Sequence, residues 1–95
     1  MNTDIRLSVD FWDHPKMLKL ERRLGVAGPI ALLRLWCWAK VYFPDGDLSG
    51  LDDEDIEIAA KWHSAKYGEF VSVLVELRWL DKTENGYVLH EWREH

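Results

Sequence analysis

The pair Asn85-Gly86, near the end of the chain, strongly limits how this sequence can fold. An Asn-Gly pair supplies the positive φ angles that a two-residue type I′ turn requires. The flanking residues 79–84 and 87–92 are rich in aromatic and branched side chains, so they are predicted to pair as a β-hairpin. The fold must therefore combine a small sheet with whatever precedes residue 79.

Two segments before the hairpin have helical patterns. Residues 65–77 carry apolar side chains at helical spacing, which predicts a helix with one buried face. The apolar residues of that face are Tyr67, Phe70, Val73, Leu74 and Leu77. Residues 29–43 are apolar nearly all round, with only Arg34 and Lys40 charged, which is typical of a central, buried helix.

Two more helices are predicted from the residues at their ends. A helix over residues 14–24 has Pro15 in its first turn and Gly25 after its last residue. The run Asp52-Asp53-Glu54-Asp55 places acids at the positive end of a helix that is expected to reach Trp62.

Length and composition favour one folded domain over residues 1–95. The chain is 47% hydrophobic and 31% charged, which is typical of a globular protein without a membrane span. Residues 1–28 are expected to form an N-terminal extension, with a strand at residues 4–9, and residues 29–92 the core, with a very short strand at residues 48–50. The start of the sequence lacks a secretory signal and the chain has a single cysteine, so a cytoplasmic location is expected.

Charge is distributed unevenly along the chain. The net charge is −5, yet residues 1–44 carry +3 and residues 45–95 carry −8. Nucleic-acid-binding domains usually present a basic stripe, and the sequence as a whole has none. We therefore predict weak or no DNA binding by this domain alone.

The predicted order of elements, a helix, a minimal strand, two helices and a hairpin, is that of a winged helix-turn-helix. Short motifs accompany this order: His14-Pro15-Lys16, Leu24-Gly25, Leu35-Trp36 with Ala39, Gly46 with Leu48, Ile58-Ala59, Phe70 with Leu74, Trp79-Leu80-Asp81, and Gly86-Tyr87 to His90-Glu91-Trp92. On these motifs the chain resembles the N-terminal domains of DnaD-like, phage-encoded replisome organiser and replication initiation proteins.

The resemblance implies a mainly α fold with a small β wing, a winged helix-turn-helix preceded by an N-terminal strand-helix extension used for self-association. The implied function is a non-enzymatic assembly or interaction module of a phage-type DNA replication protein, with a homo-oligomer and other replication proteins as partners. In that family much of the DNA-binding activity lies in a separate C-terminal domain. The alternative function is that of a sequence-specific, winged-helix transcriptional regulator, because fold alone does not determine function.

In a winged helix, the fourth predicted helix would be the recognition helix, whose outer face meets bases and phosphates. That face carries Lys66, Glu69, Ser72 and Glu76. Carboxylates repel phosphates, and base-reading helices usually present Arg, Asn, Gln or Lys. The sequence therefore favours a solvated helix face over a DNA-reading one.

The first predicted helix carries a basic cluster of Lys16, Lys19, Arg22 and Arg23. Three interpretations are open: a solvated face, a contact with phosphates, or a head-to-tail contact with the acidic third helix of another copy, which includes Glu57. A protein contact is favoured over nucleic acid.

The predicted helix over residues 29–43 has a second apolar stripe besides its core face. This stripe consists of Ile30, Leu33, Cys37 and Val41. The first helix covers it through Met17, Leu20 and Leu24, or a second copy covers it in a homo-oligomer. Cys37 itself is expected to be a small buried hydrophobe rather than a nucleophile.

No catalytic motif or cofactor signature is found, so neither an enzyme nor a cofactor is predicted. His90 and His95 are spaced i, i+5, whereas a zincin pair needs i, i+4 on one helix, so no metal site is expected. The six tryptophans are expected to pack mainly in the core, with Trp12 and Trp92 the two expected at the surface.

Overall fold

The computed structural model describes residues 14–64 and 66–92. Within these residues the chain forms four helices and one two-stranded antiparallel sheet: α1 Pro15–Leu24, α2 Ala27–Tyr42, α3 Asp53–Ala59, α4 Glu69–Glu76, β1 Leu80–Thr83 and β2 Gly86–Leu89. The prediction of a mainly α fold with a small β sheet is confirmed. The strand predicted at residues 4–9, and Trp12, lie outside the described residues.

The turn between α1 and α2 is shorter than predicted. His14 caps α1, because its Nδ1 accepts a hydrogen bond from the Lys16 backbone N–H at 3.2 Å. Gly25 follows with a φ of 76°, which favours glycine, and α2 begins at Ala27 rather than at Pro29. The two helices are bent by 115° to one another, and no single helix in the described part of the chain is long and apolar enough to cross a membrane.

α3 has the predicted acidic start but ends earlier than predicted. Asp52 and Asp55 form a capping box, in which each carboxylate accepts a hydrogen bond from the other's backbone N–H. At the other end the Trp62 N–H donates to the Glu57 carbonyl at 2.9 Å, and Lys61 adopts a left-handed φ of 56°. This is a Schellman motif, so Trp62 lies beyond the helix that was predicted to contain it.

α4 is shorter than the predicted helix over residues 65–77. It begins at Glu69, because the backbone is left-handed at Gly68, where φ is 83°. Tyr67 precedes the helix and is 80% exposed, so its prediction as part of the buried face is wrong. The remaining residues of that face are buried or half-buried: Phe70, Val73, Leu74 and Leu77.

A side chain from α3 caps the start of α4. The Glu57 carboxylate accepts hydrogen bonds from the backbone N–H groups of Gly68 at 3.1 Å, Phe70 at 3.0 Å and Val71 at 3.4 Å. Glu57 is only 5% exposed, so the expectation that it belongs to an outward acidic surface is wrong. The first N–H groups of a helix need acceptors, so this carboxylate joins α3 to the start of α4.

β1 and β2 form the predicted hairpin, but its turn lies one residue earlier than predicted. Thr83 pairs with Gly86, so Glu84 and Asn85 connect the strands. Gly86 has a positive φ of 138° whereas Asn85 does not have a positive φ, so the predicted type I′ turn over Asn85-Gly86 is wrong. Glycine is favoured here both by this φ and by the space available, because a Cβ on Gly86 would lie 3.2 Å from the backbone nitrogen of Gly50.

The segment over residues 46–50 pairs with β2 along its other edge. Asp47 forms an antiparallel bridge with Val88, and the Leu48 N–H donates to the Tyr87 carbonyl at 2.9 Å. The very short strand expected at residues 48–50 is thus a single bridge one residue earlier. This segment ties the chain between α2 and α3 to the hairpin.

α2 lies at the centre of the core. Its buried residues are Gly28, Pro29, Ala31, Leu32, Leu35, Trp36 and Ala39. The elements around it contribute Met17, Leu20, Leu48, Ile56, Ala60, Phe70, Val71, Val73, Leu74, Trp79, Leu80, Tyr87, Leu89 and Trp92. The Trp36 ring meets Trp79 and Trp92 edge-on at 5.7 and 6.3 Å, a favoured aromatic geometry.

Trp92 is buried in the core, although the sequence predicted it at the surface. It is 6% exposed, and its Nε1 donates to the Pro44 carbonyl at 2.9 Å. The ring lies directly on Gly46, where a Cβ would be 2.6 Å from the Trp92 Cγ. The Lys40 ammonium lies 4.8 Å from the ring centre, a cation–π contact.

Candidate interaction surface

Few side chains are exposed on the outer face of α4. Lys66, predicted at the start of this face, lies in the turn before the helix, and Glu69 is half-buried. Ser72 and Glu76 are the exposed residues of α4 itself. This surface therefore presents a hydroxyl and carboxylates, the groups that the sequence placed there.

Two members of the basic cluster of α1, Lys16 and Arg23, contact α4 or the residues that follow it. The Arg23 guanidinium donates to the Glu76 carboxylate at 2.7 Å. Arg23 lowers the pKa of Glu76, and Glu76 raises the pKa of Arg23, mainly through this hydrogen bond. The Lys16 ammonium donates to the Arg78 carbonyl at 2.8 Å and lies 4.2 Å from the centre of the Trp79 ring.

These contacts change the predicted role of the cluster. Burial lowers the pKa of Lys16, which is half-buried, whereas Lys19 and Arg22 are exposed. The acidic third helix of another copy was a candidate partner for the cluster, yet Arg23 pairs within the chain with Glu76 of α4. Lys19 and Arg22 are the two members that project away from these contacts with α4.

The apolar stripe of α2 is largely uncovered. Ile30 and Val41 are each 40% exposed, and Cys37 is exposed, so the expectation that Cys37 is buried is wrong. Leu33 differs from the other three because it is half-buried and packs against the core. Thus α1, which buries its own Met17 and Leu20, leaves three of the four stripe residues exposed.

At the end of the hairpin, His90 contacts two carboxylates. His90 Nδ1 lies 2.8 Å from the Asp81 carboxylate, and His90 Nε2 lies 3.4 Å from that of Glu91. His95 lies outside the described residues. Across residues 14–64 and 66–92, no three His, Cys, Asp or Glu side chains are grouped so as to hold a metal ion.

A cleft that sequence reasoning missed lies between the start of α2 and the turn after α3. We call it the α2–α3 cleft; its volume is about 300 Å³, and its lining residues are Ala27, Ile30, Ala31, Arg34, Lys61, Trp62 and His63. Two further clefts continue along α3, lined by Trp38, Leu51, Asp55, Ile58 and Ala59 and by Glu54, Ile58, Trp62, His63, Ser64 and Tyr67. Nothing in the sequence signals that Arg34 and Lys61 line one cleft, because only the packing of the helices places them there.

No protein-family model matches the chain, and neither a curated protein nor a solved structure is significantly similar to it. What the chain does therefore has to be inferred from its surfaces. Three of them bear on function: the outer face of α4, the exposed stripe of α2, and the α2–α3 cleft, which shares Ile30 with that stripe.

Proposed function

We propose that this chain is a non-enzymatic assembly module of a phage-type DNA replication protein, built on a winged helix and acting through protein contacts. The order α2, the paired segment over residues 46–50, α3, α4 and the hairpin supports the winged-helix part of the proposal. The replication context comes from the motifs that resemble DnaD-like proteins and replisome organisers.

The observation that carries the proposal is the outer face of α4. In a winged helix this face, together with the hairpin, meets the phosphates. Here Ser72 and Glu76 occupy it, and Glu76 is held by Arg23 from α1. A hydroxyl and an ion-paired carboxylate, in place of the Arg, Lys, Asn or Gln of a base-reading helix, on a chain of net charge −5, disfavour a phosphate backbone.

Self-association is the second part of the proposal. Ile30, Cys37 and Val41 form an exposed apolar row on α2. Small domains gain much of their stability by burying such rows between copies, and a two-fold contact would pair the row with itself. The chain is therefore proposed to form a homo-oligomer through α2.

A DNA titration at two salt concentrations tests the first part. We expect a dissociation constant no tighter than the non-specific range of roughly 10⁻⁴ to 10⁻⁶ M at physiological salt. Any residual binding should weaken with Lys19→Glu and Arg22→Glu together more than with Lys82→Glu on β1. Nanomolar, sequence-dependent binding would instead support the transcriptional regulator.

Sedimentation velocity over a range of micromolar concentrations tests the second part. Val41→Glu should dissociate the oligomer and leave a folded monomer, since Val41 is exposed. Leu18→Glu is the matched control, because Leu18 is also an exposed apolar residue but lies on α1, outside the row. A monomer at every concentration, or equal dissociation by both variants, contradicts self-association through α2.

A further inference from the structure

Three basic side chains meet at the α2–α3 cleft. Arg34 projects from α2, and Lys61 and His63 come from the turn after α3. Among the described residues, no carboxylate lines this cleft, and none of the ion pairs involves these three side chains. In a chain of net charge −5, such a cleft is a local positive site with no internal partner.

The start of α2 adds to this positive potential. Ala27, the first residue of the helix, lines the cleft. The helix has no acidic residue in its first turn, and Val26 at its N-cap supplies no side-chain hydrogen bond. The partial positive charge of the helix end therefore lies beside the same space as Arg34, Lys61 and His63.

Lys61 is held in a backbone conformation that favours glycine. Its φ of 56° belongs to the left-handed position of the Schellman motif. Arg78 has the corresponding position after α4. A basic residue is favoured at both positions because a cation interacts favourably with the negative end of the helix dipole. What distinguishes Lys61 is that its side chain shares a cleft with Arg34 and His63.

The rest of the cleft is apolar. Ile30, Ala31 and Trp62 line it, and in the described part of the chain the buried Trp62 Nε1 has no hydrogen-bond partner. Ile58 and Tyr67, exposed by 66% and 80%, continue the apolar surface along the neighbouring cleft. A ligand that fills this surface needs apolar groups next to its anionic ones.

A nucleic acid fits this surface poorly. Glu54 and Asp55 line the adjoining clefts and would repel a phosphate backbone that continued along α3. One face of the Trp62 ring is already stacked on Phe70, with ring centres 5.3 Å apart. A peptide with acidic residues at one end only avoids this repulsion.

We propose that the α2–α3 cleft binds an acidic, amphipathic segment of a partner protein. Its carboxylates lie against Arg34, Lys61 and His63, and its apolar side chains lie against Trp62 and Ile58. This inference rests on the proposed function, because it takes the chain to act through protein contacts. It adds a binding site that shares Ile30 with the exposed row of α2 but does not include Cys37 or Val41.

The test is a fluorescence polarisation titration with a labelled synthetic peptide of about 16 residues, which has Glu in its first turn and Leu or Phe at i, i+3, i+4 and i+7. A second peptide with Gln in place of Glu is the ligand control. We expect micromolar binding of the first peptide, and Arg34→Glu or Lys61→Glu should weaken it about tenfold. Lys82→Glu, an equal charge change outside the cleft, should weaken it less than about twofold.

Lys61→Gly separates the role of the side chain from that of the backbone. Glycine suits the left-handed position, so the melting temperature should rise, while peptide binding should weaken because a cation is lost. A nitrogen-15 NMR titration should shift the indole N–H signal of Trp62.

Several outcomes would overturn the proposal. They are no binding of the acidic peptide, equal binding of the Gln peptide, or indifference to Arg34→Glu and Lys61→Glu. Duplex DNA that binds with the same dependence on Arg34 and Lys61 would show a phosphate ligand instead. Self-association is measured with Val41→Glu, so its failure is distinguishable from a failure at the cleft.

Discussion

Replacing Glu57 by alanine should destabilise this domain more than any other change of an acidic residue on α3. The Glu57 carboxylate is buried and accepts backbone hydrogen bonds from Gly68, Phe70 and Val71 at the start of α4. Alanine would leave these N–H groups without acceptors at the junction of two helices. The cost of an unsatisfied buried donor exceeds the net gain of an ordinary hydrogen bond.

The magnitude follows from the geometry of the three contacts. The two shorter hydrogen bonds, at 3.1 and 3.0 Å, are assigned a full contribution to stability, and the third, at 3.4 Å, is assigned little. Hydrogen bonds to charged groups contribute about 1.5–3 kcal/mol each, so the gross loss is about 3–6 kcal/mol. The alanine variant also avoids the cost of burying the carboxylate, which offsets part of the gross loss. The net loss is about 2–4 kcal/mol in the free energy of unfolding.

Urea and thermal unfolding monitored by circular dichroism would measure this loss. At about 4–8 °C per kcal/mol for a domain of this size, Glu57→Ala should lower the Tm by roughly 10–30 °C. Glu54→Ala is the control, because Glu54 is exposed in the first turn of the same helix and should cost less than about 1 kcal/mol. Equal destabilisation by the two variants would refute the capping role, as would unchanged hydrogen-exchange protection at Phe70.

Two further changes test the packing of the core and of the hairpin. Gly46→Ala should destabilise the fold by more than about 2 kcal/mol, because its Cβ would overlap the Trp92 ring. Gly50→Ala, also at positive φ but in open space, should cost only about 1 kcal/mol in the same urea titrations. The hydrogen bond from the Tyr87 hydroxyl to Asp53, at 2.6 Å, raises the pKa of Tyr87 to about 12. Its contribution to stability should therefore be complete below about pH 10 and lost as the pH rises towards 12, and Tyr87→Phe should remove this alkaline dependence.

The sequence alone determined the features that depend on neighbouring residues. Pro15 and Gly25 mark the ends of α1, and the Asp52-Asp55 box starts α3, because capping groups act within three or four residues. The apolar spacing of residues 65–77 predicted the buried face correctly at Phe70, Val73, Leu74 and Leu77 but not at Tyr67. The hairpin was predictable for the same reason, since strand pairing around a short turn is local.

The candidate sites depended on contacts that the sequence does not encode locally. Arg34, Lys61 and His63 line one cleft only because α2 and α3 pack side by side, and no spacing rule relates α2 to the turn after α3. The exposure of Cys37 was likewise decided by where α1 crosses α2, which leaves part of an apolar helix uncovered.

Tertiary structure also decided the roles of individual polar and small residues. Glu57 lies in an acidic run that looks like a solvated helix start, yet it is buried because α4 approaches α3 with unpaired N–H groups. Gly86 looks like a turn residue, but the close approach of Gly50 to the hairpin also favours glycine there, in addition to its φ of 138°. In both cases the deciding partner is distant in sequence, and its position is set by the packing of whole helices and strands rather than by local conformational preference.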